Sequence, residues 1–144
     1  MCKSKGLAFW MAGALILGTV ACGGSGDGKY AAIKNLMSEQ VKIFEKTTSA
    51  LNKADNAEEV AAAIDLWSDG VAALIPKLKE HAQVLSDLKE METPLELQAV
   101  NTQRERVMRE MGEAGAKIQT YIDDPKVQAA REKLAKVMEE MEKI

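Results

Sequence analysis

Cysteine is nearly missing from this 144-residue chain: Cys2 and Cys22 are the only two, and both lie in the first 22 positions. Everything after residue 22 must therefore hold together without a disulfide or a cysteine-based metal site. Aromatic residues make up 4% of the chain, proline occurs three times, and most of the glycine sits before residue 30. Sheets are built from β-branched and aromatic residues in period-two alternation, and no such run of useful length is present. Positive charge is not in excess, with 19 Lys and Arg against 22 Asp and Glu and a formal net charge of -3. That excludes the concentrated basic footprint of a nucleic-acid-binding protein. There is one histidine, His81, and no HExxH, phosphate-cradling glycine loop or Ser-His-Asp arrangement. What remains plentiful is Ala, Leu, Met, Glu and Lys, the composition of a helical protein. The length suits a single domain.

The first 28 residues read as targeting and tether. Lys3 and Lys5 form a short positive region, and Leu7 to Cys22 carries no charge. That run suits the apolar stretch of a signal peptide and is short for a membrane span of about 20 residues. It closes on the small residues Thr19-Val20-Ala21 directly before Cys22. The pattern resembles the lipobox of bacterial lipoprotein precursors, with Thr19 where that family usually has Leu. The resemblance implies cleavage after residue 21, acylation of Cys22, and Cys22 as the first residue of the mature chain. Gly23 stands where an Asp commonly marks inner-membrane retention in Gram-negative lipoproteins. The resemblance therefore implies the outer membrane, on its periplasmic face. An ordinary secretory signal with a chance cysteine, or an uncleaved anchor, are the alternatives.

Gly23-Gly24-Ser25-Gly26-Asp27-Gly28 has almost nothing to bury and behaves as a flexible tether. The domain organisation is then 1–21 leader, 22–28 tether and 29–144 helical domain. Removing 1–21 takes Lys and Arg from 19 to 17 against 22 acids, a net charge of -5. Such a surface has no attraction for anionic headgroups, so the lipid itself is the expected membrane contact.

Four apolar stripes follow the helical period. They are Tyr30, Ile33, Met37, Val41, Phe44, Thr48 and Leu51; then Val60, Ile64, Trp67, Val71, Leu74, Leu78, His81, Leu85 and Leu88; then Leu97, Val100, Arg104, Val107, Met111, Ala114, Ile118 and Tyr121; then Val127, Ala130, Leu134, Val137, Met141 and Ile144. The alternating spacings of three and four are those of heptad seams. Asn56 with Glu59, Thr93 with Pro94 and Glu96, and Asp124 with Pro125 supply start signals between them. The expectation is an all-α fold: an antiparallel bundle of three to four long helices at about 29–53, 57–91, 94–122 and 125–143. The second should be one long helix bent near 72–76, because Gly70 and Pro76 weaken it while its seam runs on in register. A kinked continuation across Asp123-Asp124-Pro125 is the alternative to a reversal there.

Candidate site residues are few. Cys22 is the lipidation site the resemblance implies. His81 lies on a seam and could ligate haem or metal with a Met partner, but a metal needs about three or four ligands and the c-type haem motif is absent. The bland reading is a structural histidine. Arg104 is either an anion or partner contact or a side chain snorkelling to solvent. Met108, Met111, Met138 and Met141 could form a plastic groove, although their spacing of three fits core packing. Gly112 and Gly115 could admit another helix closely. Trp67 should anchor the core with its N–H satisfied at the edge.

The expected function is non-enzymatic, with no catalytic residue, metal or cofactor. The chain reads as a membrane-anchored cell-envelope lipoprotein with a binding, scaffold or chaperone-like helical domain and an envelope protein partner. The alternatives are a haem- or metal-binding bundle using His81 and a Met, and a self-assembling coiled-coil lipoprotein.

Overall fold

The computed structural model describes residues 30–144, and the leader, Cys22 and the glycine tether lie outside the described residues. Within them the chain is all-helical and contains no strand. Six helices follow one another: α1 (Ala31–Lys53), α2 (Ala57–Glu80), α3 (Ala82–Lys89), α4 (Leu95–Ala114), α5 (Ala116–Thr120) and α6 (Pro125–Glu142).

Two of the three expected start signals form. The Asn56 side chain accepts the Glu59 N–H at 2.9 Å, satisfying one orphan donor of α2, and the Glu59 carboxylate accepts the N–H of Asp55, the residue before the cap, at 2.7 Å. At α6, Asp124 accepts the Lys126 N–H at 2.8 Å and Pro125 occupies the first turn. The Thr93 cap does not form: α4 starts one residue later, with extended Pro94 (φ -54°, ψ 144°) at the cap position and no side-chain hydrogen bond. A proline in the cap position fixes φ but has no side-chain acceptor to offer.

Helix α2 runs unbroken through Pro76, and the interruption falls five residues later, at His81 (φ -109°, ψ 16°). The two sides stay linked, because the His81 N–H donates to the carbonyls of Lys77 and Leu78 and the His81 carbonyl accepts the Leu85 N–H at 3.0 Å. A similar single-residue break at Gly115 separates α4 from α5. There the Gly115 N–H still reaches the Met111 carbonyl at 2.9 Å.

Long-range contacts fix the directions of the helices. Glu39 pairs with Lys77 at 2.6 Å, and Ile43 lies against Gly70, so α1 and α2 run antiparallel. Glu45 meets Gln103 and Arg106, Asn52 and Ala54 meet Lys117, and Asp55 meets Tyr121; α1 and the α4–α5 segment therefore run in the same direction. Glu58 pairs with Lys126, and Asp65 and Asp69 pair with Lys133, so α2 and α6 are also parallel. Extensive packing joins α2 to α6, α1 to α4 and α1 to α2, which places α1 and α2 centrally with α4 and α6 outside them. Short connections favour antiparallel neighbours, and α1 with α2 obeys that rule. The two other close pairs join helices that are not consecutive in the chain and run parallel.

The central position of α1 and α2 accounts for buried residues beyond the stripes. Leu36, Gln40 and Thr47 on α1, and Ala61, Ala63, Ser68 and Ile75 on α2, are buried in addition to the seam positions. A helix with two neighbours buries a wider arc than one heptad seam describes. On α4 and α6 every buried residue belongs to the stripe.

Gly70 has a packing role. A Cβ built there would stand 2.8 Å from Ile43 Cγ2 and 2.9 Å from Cγ1, so α1 and α2 approach more closely than any side chain would allow. The pair expected to serve that purpose does not: a Cβ on Gly112 would meet no described atom within 4 Å, and one on Gly115 would meet only the backbone of its own helix.

Candidate functional site

The two ends of the domain differ in chemistry, and the difference begins with where the chain enters. Tyr30, the first described residue, donates its hydroxyl to Met91 Sδ at 3.9 Å. The start of α1 therefore lies beside the turn between α3 and α4. The apolar cluster at this end draws Ile33 and Leu36 from α1, Leu74 and Leu78 from α2, Leu97 and Val100 from α4, and Met141 from α6. Val84, Leu85 and Leu88 of α3 pack on its margin, and α3 has no fully buried residue. Met91 is 49% exposed and Leu95 61% exposed, two of the three large exposed hydrophobic residues among those described.

The stagger of α6 explains why α3 is half-covered. Lys126 opposite Glu58 and Lys133 opposite Asp65 set one register along the parallel pair. Carried forward, that register brings the last helical residue of α6, Glu142, level with Leu74. Helix α3 begins at Ala82, eight residues further along and so about 12 Å beyond that level at 1.5 Å per residue. Its outer side has no α6 to cover it.

His81, the sole histidine, sits half-buried at the α2–α3 junction. Among the described residues no group of three or more His, Cys, Asp or Glu side chains is placed to hold a metal ion. Met111 and Met141 are buried in the core, and Met108 and Met138 are half-buried on its edge. They are split between two separate apolar clusters, so the four do not line one groove.

Arg104 is half-buried on the inner side of α4. Burial pushes its guanidinium below the ordinary arginine value, opposed by the adjacent Glu105 carboxylate. Trp67 departs from the sequence expectation. Its ring packs edge-on against Phe44, with centroids 6.4 Å apart and planes at 75°. Its Nε1 is buried and has no hydrogen-bond partner among the described residues. The core around it is apolar, formed by Val41, Phe44, Val107, Met108 and Met111. The buried hydroxyls of Thr47, Thr48 and Ser68 are likewise unpartnered among the described residues.

A hollow of about 360 Å³ between α1 and α4 is lined by Glu45, Thr48, Ser49, Asn52, Lys53 and Glu110. Arg106 stands 4.0 Å from Glu45 and 3.7 Å from Glu110 and offsets both carboxylates.

At the far end the groups are closed on one another. Lys117 donates to the carbonyls of Asn52 and Ala54 at 2.8 and 2.6 Å, and the Tyr121 hydroxyl donates to the Asp55 carbonyl at 3.0 Å. These donors satisfy carbonyls that the end of α1 leaves without helical partners. Tyr121 was visible as the last residue of its stripe. Lys117 carried no sequence signal, because its role depends on α5 lying beside the end of α1.

No helix among the described residues is long and apolar enough to cross a membrane. A scan against family models, a search of curated proteins and a search of solved structures each find no match for this chain.

Proposed function

We propose that the protein is a lipid-anchored bacterial cell-envelope protein, acylated at Cys22 and held on the periplasmic face of the outer membrane, whose helical domain binds an envelope protein partner as a non-enzymatic scaffold or chaperone-like module. The observation that carries this reading is the ordered run of positive residues, uncharged stretch, small residues, Cys22 and glycine tether ahead of a helical domain. Two or three acyl chains hold a protein on a bilayer almost irreversibly, since each buried CH₂ contributes roughly 0.8 kcal/mol. A domain so held is concentrated near its partners, and modest affinity then suffices. The domain itself is read as a bundle of four rods, α1, α2 with α3, α4 with α5, and α6, consecutive rods running in opposite directions, with the second rod bent near 72–76. The continuing backbone bonds across His81 and Gly115 support that reading.

Mass spectrometry of the N-terminus of protein isolated from cells tests the proposal. A diacylated or triacylated Cys22 is the expected result. An intact Met1, or a mature chain that starts elsewhere without lipid, refutes it.

A further inference from the structure

Three observations at the Tyr30 end converge. The chain enters there, beside Met91. Val84, Leu85 and Leu88 of α3 pack on the margin of the core and stay only half-covered, while the exposed positions of this segment, Gln83, Ser86, Asp87, Lys89 and Glu90, are polar. Met91 and Leu95, which flank the α3–α4 turn, are the exposed apolar residues at that tip.

We propose that this end of the domain seats on the surface of a zwitterionic phospholipid bilayer, with exposed Met91 and Leu95 as the contact and the half-covered margin of Val84, Leu85 and Leu88 beside them. The inference rests on acylation at Cys22. From Cys22 to Tyr30 the chain advances eight residues, which span at most about 26–29 Å when fully extended. The anchored cysteine thus keeps this end, and not the far one, within reach of the lipid surface. Contact between them is then effectively intramolecular, so a small apolar patch is enough. The charge of the segment selects the lipid. Between Lys79 and Glu96 two lysines, Lys79 and Lys89, stand against Glu80, Asp87, Glu90, Glu92 and Glu96. This acidic balance repels anionic headgroups and tolerates zwitterionic ones. At the far end the backbone carbonyls are bonded to Lys117 and Tyr121 and the core cluster is closed around Leu51, Val60 and Ile64; Leu66 on α2, 42% exposed, is the one large exposed apolar residue described outside the Tyr30 end.

Hydrogen exchange on vesicle-bound protein tests the inference in two preparations. One is the protein extracted from cells with its native N-terminus and reconstituted into phosphatidylcholine vesicles. The other is the chain from Cys22 onward, coupled through the Cys22 thiol to a maleimide phospholipid in the same vesicles. The second removes any dependence on cellular acylation, so failure of the anchor reading and failure of the seating are told apart. Amides of residues 82–96 should exchange about tenfold more slowly on vesicles than in vesicle-free protein, while those of 57–64 stay unchanged. The double substitution Met91→Glu and Leu95→Glu should remove most of that slowing without altering exchange at 57–64. Replacing about a third of the lipid by phosphatidylglycerol at low salt should weaken the slowing. Unchanged exchange at 82–96 in the coupled preparation overturns the proposal. So does slowing that survives the double substitution, that increases with anionic lipid, or that appears only at high protein density, which would mark contact between copies.

Discussion

The two ends of the domain rest on different kinds of residue. At the far end, small and branched side chains meet closely: Leu51, Val60 and Ile64 are fully buried beside Ala54, Ala61, Ala63, Ala114, Val127 and Ala130. Backbone groups there are tied by Lys117, Tyr121, Asn56 and Asp124. At the Tyr30 end larger and more pliant side chains are used, with Met37, Leu85, Leu88, Met138 and Ile144 only partly buried. Its turn carries exposed Met91 and Leu95, and the helix after it starts without a side-chain cap. Stability and surface apolarity are thus divided along one rod. The far end is the more tightly bonded, and the Tyr30 end carries two of the three large exposed apolar residues among those described.

The sharpest test of that division is a pair of truncations. Ile64→Ala should cost about 2–5 kcal/mol, as expected for a fully enclosed aliphatic side chain. Leu85→Ala, at a half-covered site, should cost about 1 kcal/mol, because less area leaves water on folding and no closed cavity forms. Urea melts of the two variants measure the difference, and equal losses would break the comparison.

Gly70→Ala addresses the middle of the molecule. Helix propensity alone favours Ala by about 1 kcal/mol. The new methyl would stand 2.8 Å from a branched Ile43 carbon, so a net loss of about 1–3 kcal/mol is expected. Ile43→Ala in the same chain should recover part of it. A stabilised Gly70→Ala would show that α1 and α2 are not packed as described.

Caps should separate the ends again on a smaller scale. Asn56→Ala loses a formed bond and should cost about 1 kcal/mol. Thr93→Ala loses none and should stay within about 0.5 kcal/mol of the parent, as exposed substitutions do. Thermal melts distinguish them.

The smallest effect concerns pH. Hydrogen bonds to Asp69 and then Asp65 raise the Lys133 amine above its ordinary value of 10.5. A base with a raised folded-state pKa contributes its stability in full below the unfolded value, and that contribution disappears as pH rises through the folded value. Lys133→Met should therefore melt slightly below the parent up to about pH 10 and converge with it at higher pH. Because Lys133 and its partners are exposed, the gap at neutral pH should be small.

Much of the fold was legible in the residues. The seam of α2 runs through Val60, Ile64, Val71, Leu74 and Leu78, all buried, and reaches His81, Leu85 and Leu88, all half-buried. The reading lost accuracy wherever two helices must be known at once. Ser68 and Thr47 are polar, lie off the seams and are fully buried, because α1 and α2 press together at Gly70. The single helix expected over 57–91, bent near 72–76, is instead unbroken through Pro76 and interrupted at His81, since a proline's missing N–H weakens a helix without dictating which residue leaves it. The Trp67 N–H expected at a wet edge is enclosed by apolar neighbours from α1 and α4. Of the candidate sites, Cys22 lies outside the described residues, and His81 at the α2–α3 junction and Arg104 on α4 are both half-buried.

Local periodicity, caps and composition were enough to determine that residues 30–144 are mainly helical and roughly where α1, α2, α4 and α6 begin, but not the separate starts of α3 and α5, because hydrogen bonding within a helix and the side it must bury are properties of neighbouring residues. Which helices lie together, and in which direction, was decided only by the tertiary structure. The parallel pairing of α2 with α6 and its stagger depend on side chains 64–68 positions apart, such as Asp65, Asp69 and Lys133, meeting across a gap that no local pattern encodes. That stagger leaves α3 half-covered and makes the Tyr30 end of the molecule its open one.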